Sequence, residues 1–318
     1  MEVGIDVGGT DTRIVVADGS ARVGDVCTPT TTWRHGTLFS DPDNALRLLD
    51  LVPTPVIGRA DVPVVVGAHG CDTRAQCDLL EAWLRRRHPG ALRVVNDSEL
   101  FGPLCGLRNA INVVCGTGSI VVGRDAAGEL VKVGGFGWIL GDPGAAPSLV
   151  REAVIAILAQ DDLREPPGIL ARLLMEHYGS ADPVQLGYDF TADAGITRWG
   201  ALAPLVFQAA DGGDPLASRV IEAAGRQLAA DVLHLQAKGV ASEDVVVAGG
   251  VVTSQPRLER AFTAALAYLD STLRVHVLRD APVSGAVVLA QSLRPDPVRR
   301  GERADELQSI TPNEGVGI

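Results

Sequence analysis

Val3, Ile5 and Val7 alternate with their neighbours at the period of a β-strand, with one acid, Asp6, inside the run. The run breaks at Gly8-Gly9 and resumes as Thr12-Arg13-Ile14-Val15-Val16-Ala17-Asp18-Gly19, so the pattern predicts two strands joined by a tight hairpin over residues 8–12. Downstream, apolar runs predict strands over 22–28, 62–67 and 92–95, the last running into Asn96-Asp97. Helical spacing predicts short helices over 43–51, 74–87 and 99–107. The strand pattern then restarts. Ile111-Asn112-Val113-Val114-Cys115 leads into Gly116-Thr117-Gly118-Ser119 and at once into Ile120-Val121-Val122-Gly123. This second strand–glycine hairpin–strand unit follows the first by roughly 110 residues. Such an echo predicts a duplicated α/β fold in which each of two lobes presents a hairpin to one cleft.

The stretch 147–238 reads as mostly helical. Within 215–236, Leu216, Val220, Ala224, Leu228, Val232 and Leu235 share one face, and Gly239 supplies a stop. A strand over 244–248 ends in Gly249-Gly250-Val251. A helix over 256–269, a strand over 273–278 and a helix over 284–293 follow, and the polar, Pro-containing stretch 294–318 reads as a loose tail. Lobe one is expected over 1–110 with the closing helix 284–293, and lobe two, with a helical insertion, over 111–283.

Charge and cysteine content narrow the function classes. The 318 residues carry 28 Lys and Arg against 39 Asp and Glu, a net −11, which argues against a nucleic-acid partner. Arg85-Arg86-Arg87 is read as a solvated helix end. Five cysteines (Cys27, Cys71, Cys77, Cys105, Cys115) with no CxxC pair disfavour a disulfide framework or a zinc site, and a reduced cytoplasm is the expected location. No basic-then-apolar leader and no run of 18 apolar residues occurs, so neither secretion nor a membrane span is expected. The only lysines are Lys132 and Lys238, and GxxxxGK[ST] is absent, which removes the P-loop from consideration.

Glycine turns remain as the candidate phosphate chemistry. Gly8-Gly9-Thr10, with Thr12 beyond it, lets backbone approach an anion, and Asp6 at the strand end can hold a magnesium ion through water. An ordinary Gly-Gly hairpin explains that segment alone equally well. Three such turns after apolar strands, at Gly8-Gly9-Thr10, Gly116-Thr117-Gly118-Ser119 and Gly249-Gly250-Val251, are a far more specific pattern.

In this order and spacing the chain resembles the sugar-kinase/actin/chaperone-ATPase superfamily. More narrowly it resembles the N-acetylglucosamine kinase branch, which includes the BadF/BadG/BcrA/BcrD-type activator ATPases. The narrower likeness rests on Gly134-Gly135-Phe136-Gly137-Trp138-Ile139-Leu140-Gly141-Asp142-Pro143-Gly144, on Val95-Asn96-Asp97, and on Ala281-Pro282-Val283-Ser284-Gly285-Ala286. It covers roughly residues 2–293. The resemblance implies a two-lobed actin-like ATPase fold, a duplicated ribonuclease H-like α/β architecture with a nucleotide cleft between the lobes, using ATP and Mg2+.

A sugar hydroxyl that attacks a γ-phosphate must lose a proton, so a carboxylate is needed at a strand end facing the cleft. Asp97 matches the family's catalytic aspartate; its alternative role is to cap the helix that follows. By the same resemblance Asp6 is the magnesium-side acid. Gly8, Gly9, Thr10, Thr12, Gly116, Thr117, Gly118 and Ser119 hold the β- and γ-phosphates, and Gly249 and Gly250 lie against adenosine. Asp142 either binds the sugar or fixes its own loop by accepting backbone N–H bonds. Gly118, His69 and Trp33 complete the candidate sugar contacts, although a lone histidine such as His69 is more often an ordinary satisfied group and Trp33 is equally a packing residue.

Departures from the branch put the acceptor in question. Asp142-Pro143-Gly144-Ala145 stands where the branch reads Asp-Glu-Gly-Ser, and Thr30-Thr31-Thr32-Trp33-Arg34-His35-Gly36 holds no asparagine. The expected activity is ATP-dependent phosphorylation of an amino sugar, N-acetylglucosamine or glucosamine. The alternatives are an aminocyclitol acceptor or an activator-type ATPase with an iron–sulfur cluster, for which Cys115 is the one suggestive residue. A non-catalytic sugar sensor on the same scaffold is less well motivated by a chain that keeps Asp97. The expected partners are a small-molecule sugar and a second copy of the chain as a homodimer, with no nucleic acid and no membrane.

Overall fold

A computed structural model describes residues 1–53 and 56–294. The expected tail thus lies, beyond Arg294, outside the described residues. Two five-stranded sheets organise the chain. The first contains β1 (Glu2–Val7), β2 (Asp11–Asp18), β3 (Ala21–Pro29), β4 (Val64–Ala68) and β5 (Leu92–Asn96), in the order β3-β2-β1-β4-β5. The second contains β6 (Ile111–Cys115), β7 (Ser119–Arg124), β8 (Leu130–Gly134), β9 (Asp244–Ala248) and β10 (Arg274–Val277), in the order β10-β9-β6-β7-β8. Read from the other edge, the second order repeats the first. Both sheets begin with antiparallel hairpins and end with parallel strands. The duplication suggested by the glycine hairpins is therefore present in the topology.

Helices α1 (Asn44–Asp50), α2 (Arg74–Leu84) and α3 (Phe101–Leu104) belong to the first half. The second half carries α4 (Ala146–Asp162), α5 (Ile169–Tyr178), α6 (Pro183–Ala192), α7 (Ile196–Ala201), α8 (Ala203–Asp211), α9 (Pro215–Ala237), α10 (Gly250–Ser254), α11 (Pro256–Leu269) and α12 (Val283–Ser292). Alternation along the strands sorts the core into layers. Val3, Ile5, Val7, Val64 and Val66 face α1 and α2, whereas Ile111, Val113, Val245 and Val247 face α4 and α9. The opposite faces meet in a third cluster that joins the halves through Val65, Val95, Leu100, Val246, Ala248 and Ala286. Five of the six apolar positions expected on one face of α9 are buried, and Ala224 is half-buried.

Three local expectations differ. The helix over 74–87 ends at Leu84, because the chain must turn toward β5 at His88-Pro89-Gly90, so Arg85-Arg86-Arg87 lies in turns. The helix over 99–107 is a 3-10 turn, Asp97–Leu100, followed by the single turn α3; Pro103 and Gly106 remove the continuity it would need. Strand β8 was absent from the sequence reading. It is a short half-buried edge strand with Lys132 at its centre, too weakly apolar to register.

α12 returns to the first sheet and lies against β1, β2 and the 3-10 turn. Its approach is possible only where side chains are missing. A Cβ on Gly285 would lie 1.9 Å from the Leu100 carbonyl oxygen, and one on Gly4 would lie 2.7 Å from the Val287 amide nitrogen. Gly285→Ala is therefore expected to lower stability by about 1–3 kcal/mol, as overpacked cores do, read as an earlier urea midpoint. An unchanged midpoint would show that α12 is not seated against this turn.

Candidate active site

On β1, Asp6 sits in register with Gly67 of β4, which in turn faces Val95 of β5. Residues in register project from the same face, and with no side chain on Gly67 the space between Asp6 and Val95 is filled instead by Leu100. Asp97 follows β5 at its C-terminal end, where ligand crevices form in parallel sheets. Burial first, then the Asp97 charge, pushes the Asp6 carboxyl up to about 7 against the opposing pull of Arg13. The two carboxylates are thus electrostatic neighbours.

The capping role weighed for Asp97 belongs to Asn96. The Asn96 side chain accepts from the Ser98 amide at 3.1 Å and the Ser98 hydroxyl at 2.6 Å, while Glu99 accepts the Asn96 amide at 2.9 Å, a complete capping box. Asp97 also accepts the Ser98 amide, at 3.1 Å, through Oδ1; its Oδ2 lies 3.7 Å from His69 Nδ1. That carboxylate holds the His69 imidazole more readily protonated than usual, against the burial that opposes it. The His69 ring comes within 3.9 Å of where a Cβ on Gly9 would lie, so base candidate, imidazole and first hairpin form one group.

The first hairpin closes through the Gly8 amide on the Asp11 carbonyl at 2.9 Å. Thr30 braces it, its hydroxyl donating to Gly8 O at 2.9 Å and its amide to Thr10 O at 2.8 Å. Gly9 and Thr10 are left exposed to a ligand. Two expectations are corrected here. Thr12 is fully buried, its hydroxyl shared with the Thr30 hydroxyl at 3.0 Å and accepting the Trp33 indole N–H at 3.0 Å, so it does not face an anion. Trp33 is only 4% exposed and packs in the first core, so its ring is not offered to a sugar. The reason is register: Thr12 pairs with Val7 at an inward position of β2, and the indole covers it.

The second half supplies the other group. The Gly116 amide donates to Gly118 O at 2.9 Å, and Gly116 O accepts the Ala146 amide at 2.9 Å, tying the second hairpin to the start of α4. Ser119 is buried and its hydroxyl donates to Pro143 O at 2.8 Å, leaving Thr117 as the exposed hydroxyl of this hairpin. Gly249 has φ +117°, and a Cβ there would lie 2.4 Å from Cys115 O, which makes glycine mandatory. The Gly250 amide nitrogen is 3.4 Å from a Cβ position on Gly116, so the second hairpin and the late glycine turn are in contact, and Gly250 itself is exposed.

Asp142 is buried at φ +58°, an uncommon conformation for a residue with a side chain. Its Oδ1 accepts the Gly137 amide at 3.2 Å, and its Oδ2 lies 3.1 Å from a Cβ position on Gly118. Burial raises the Asp142 carboxyl, with the Gly137 and Ser119 amides pulling the other way. It therefore fixes its loop against the second hairpin. Cys115, the residue that suggested a cluster ligand, is fully buried in the second core, and burial pushes its thiol up to about 12. A thiolate presented at a surface is not available there.

Several contributors escaped the sequence reading. Thr30 carried no signal, and Asn44, fully buried, holds the loop after Trp33 by bonds to His35 and Thr37. Asn96 and Glu99 did carry one, the i, i+3 spacing of a capping box.

Residues 3–290 match the BadF/BadG/BcrA/BcrD ATPase family. The chain belongs to that family. Over 241 residues it is 28% identical to the N-acetylmuramic acid/N-acetylglucosamine kinase of Clostridium acetobutylicum, covering 72% of this chain and 77% of that protein. An N-acetyl-D-glucosamine kinase of Dictyostelium discoideum is 24% identical over 172 residues, 52% of this chain and 54% of that protein. Among solved structures, a Chromobacterium violaceum protein provisionally named an N-acetylglucosamine kinase aligns with TM-score 0.61 at 21% identity, over 91% of this chain and 98% of that one. The ROK family glucokinase of Streptomyces griseus aligns with TM-score 0.54 at 16% identity, over 92% of this chain and 98% of that one. These likenesses establish the two-lobed actin-like fold, with which the paired sheets agree.

The raised Asp6 carboxyl sets a pH dependence. Its folded value lies above its unfolded one, so the free family member is expected to lose stability as pH rises from about 4 to about 7, by at most roughly 4 kcal/mol. Asp6→Asn should flatten that stretch of a melting-temperature profile. A profile that falls equally in the variant would place the effect elsewhere.

Proposed function

We propose that this chain is an ATP-dependent kinase that transfers the γ-phosphate to a hydroxyl of an amino sugar. The observation that carries the reading is Asp97: it stands at the end of β5 beside Asp6 and the first hairpin, with the capping role taken by Asn96. A carboxylate so placed can accept the proton of an attacking hydroxyl as the bond to phosphorus forms. Gly9 and Thr10 from one half, and Gly116, Thr117 and Gly118 from the other, offer backbone and hydroxyl groups to the β- and γ-phosphates. Gly249 and Gly250 leave backbone bare for the adenosine, and the buried Asp142 holds its loop against Gly118 at the edge of the second hairpin. Lobe one would comprise 1–110 with 284–293, and lobe two 111–283.

Among the described residues no three His, Cys, Asp or Glu side chains converge as a metal cage. A buried carboxyl that resists ionisation beside a second carboxylate nevertheless fits a divalent cation. Asp6 would hold Mg2+ through water, with phosphate oxygens completing its shell, and the ion would neutralise charge on the transferring phosphate.

N-acetylglucosamine and glucosamine are the first acceptors to test, supported by the names of the curated relatives. N-acetylmuramic acid belongs in the same panel, because the Arg34 charge is felt at His69 and its Nε is buried without a partner. An aminocyclitol is the remaining alternative. A coupled ADP-release assay across these compounds tests the reading: sugar-dependent ADP release supports it, and ADP release indifferent to every acceptor opposes it.

Asp97→Asn should lower kcat by about 10²–10⁴-fold, the usual contribution of a general base, with ATP binding nearly unchanged by calorimetry. Near wild-type turnover would refute Asp97 as the base. Pro143 removes an acid and a backbone donor beside Asp142, and a site short of polar partners binds and discriminates less well. Pro143→Glu should therefore raise kcat/KM for N-acetylglucosamine relative to the other acceptors; an unchanged ratio would show that other residues already supply the contact.

A further inference from the structure

Three residues beyond the β5 end, the chain makes a contact that the proposed chemistry has not used. Glu99 and Arg124 meet as a bidentate pair, Arg124 Nε to Glu99 Oε1 at 2.6 Å and Arg124 Nη2 to Glu99 Oε2 at 2.8 Å. Glu99 closes the 3-10 turn that begins with Asp97, whereas Arg124 is the last residue of β7, the strand that leaves the second glycine hairpin at Ser119. The pair therefore joins the two sheets. Glu99 is 16% exposed and Arg124 32% exposed, so the contact is shielded more than a surface pair.

Glu99 is also committed on its own side. Its Oε2 accepts the Asn96 amide at 2.9 Å, so one carboxylate both completes the capping box and receives the guanidinium. Arg124 is held in turn by the Gly128 carbonyl in the turn between β7 and β8. A rigid path results: second hairpin, β7, Arg124, Glu99, the turn 96–99, Asp97. Ser119 and Arg124 stand at opposite ends of β7, five residues apart and about 16 Å at strand rise. A second salt bridge between the halves, Lys132 Nζ to Asp72 Oδ2 at 3.1 Å, is about half exposed at both ends and ends on a single donor. Planar bidentate geometry fixes orientation as well as distance, which a lysine point charge does not.

We propose that the Glu99–Arg124 pair is a positioning device: it sets the placement of Asp97 relative to the phosphate-binding hairpin of the opposite lobe. Neither residue touches substrate. The inference rests on Asp97 being the base, and it assigns to Glu99 and Arg124 a task beyond holding the lobes together. When the pair is intact, the docking of phosphates on the second hairpin and the alignment of the base are one geometry; without it, the shared apolar cluster still joins the lobes but nothing fixes the turn 96–99 in orientation against β7. Misplacement of a reacting group by about 1 Å can cost on the order of 10²-fold in rate, so a modest loosening should be visible in kcat.

The test is a set of variants in the full chain, assayed for steady-state kinetics with the best acceptor, for ATP-analogue affinity by calorimetry, and for melting temperature. Glu99→Gln keeps a carbonyl oxygen for the Asn96 amide and loses the charge; Arg124→Gln loses the fork; Arg124→Lys keeps the charge without it. Each is expected to lower kcat by about 10–100-fold, Arg124→Lys least, with ATP-analogue affinity within about twofold of wild type. Glu99→Gln combined with Arg124→Gln should match the worse single variant, since both break one link. In an Asp97→Asn background, Arg124→Gln should cost kcat little more, because the group it positions has already lost its function. An equal loss in both backgrounds, or a loss that follows melting temperature, would make the pair merely structural and overturn the proposal. Wild-type kcat in Arg124→Gln alongside an inactive Asp97→Asn would overturn the pair and leave the base standing. An active Asp97→Asn would overturn both.

Discussion

Leu100 occupies the space that Gly67 and Gly285 leave empty, and the cleft side of the first lobe depends on that fit. A Cβ on Gly67 would meet the Leu100 side chain at 2.4 Å, and one on Gly285 would meet its carbonyl at 1.9 Å. Two glycines, on a strand and on a helix far apart in sequence, thus clamp one leucine between them. The clamp seats the 3-10 turn on the end of β5, fixes α12 against the first sheet, and extends into the cluster shared with Val246 and Ala248 of the second sheet. Asp97 is carried into the cleft by the same turn. Within the first lobe, steric exclusion seats the turn that carries the candidate base.

Electrostatics then act on that geometry. Placing Asp97 near a buried Asp6 makes ionisation of the latter costly, and Arg13 only partly offsets it. His69 leans toward the charged form beside Asp97, and Glu99 balances Arg124 from the other lobe. A site that holds negative charge in poor solvation is suited to a ligand that arrives with a cation and with phosphates bound mainly by neutral backbone. On the second lobe the corresponding device is conformational. Gly249 and Asp142 sit at positive φ on either side of the second hairpin, fixed by the Cys115 carbonyl and the Gly137 amide. Of the two, Asp142 carries the backbone strain, of the kind that clusters in loops shaped for a ligand.

Much of this was readable in the chain. The alternation around Val3-Ile5-Val7 and its echo at Ile111-Asn112-Val113-Val114-Cys115 located both hairpins, because strand period and glycine breaks are local signals. The duplication of the fold followed from them, whereas the strand order of each sheet is visible only in the structure. Thr12 and Trp33 were misplaced for a physical reason: which face of β2 a hydroxyl occupies is a matter of pairing register, and Trp33 packs on that hydroxyl from 21 residues away. β8 was missed since an edge strand buries too little to impose a pattern. The Glu99–Arg124 link spans 25 residues and two sheets, and no local spacing announces it. Asn96 is legible through its spacing to Glu99, whereas the adjacent Asp97 has the residue type of a cap without that partner.

The central claim is that phosphate moves from ATP to a sugar hydroxyl in a cleft where Asp97 accepts the proton. Phosphorus NMR of the purified protein with ATP, Mg2+ and each candidate amino sugar follows that atom directly. The account predicts a new sugar-phosphate resonance that grows in step with ADP, with little inorganic phosphate. Inorganic phosphate rising with ADP and no phosphorylated sugar for any acceptor would contradict it, and would leave an ATPase whose coupled event lies elsewhere.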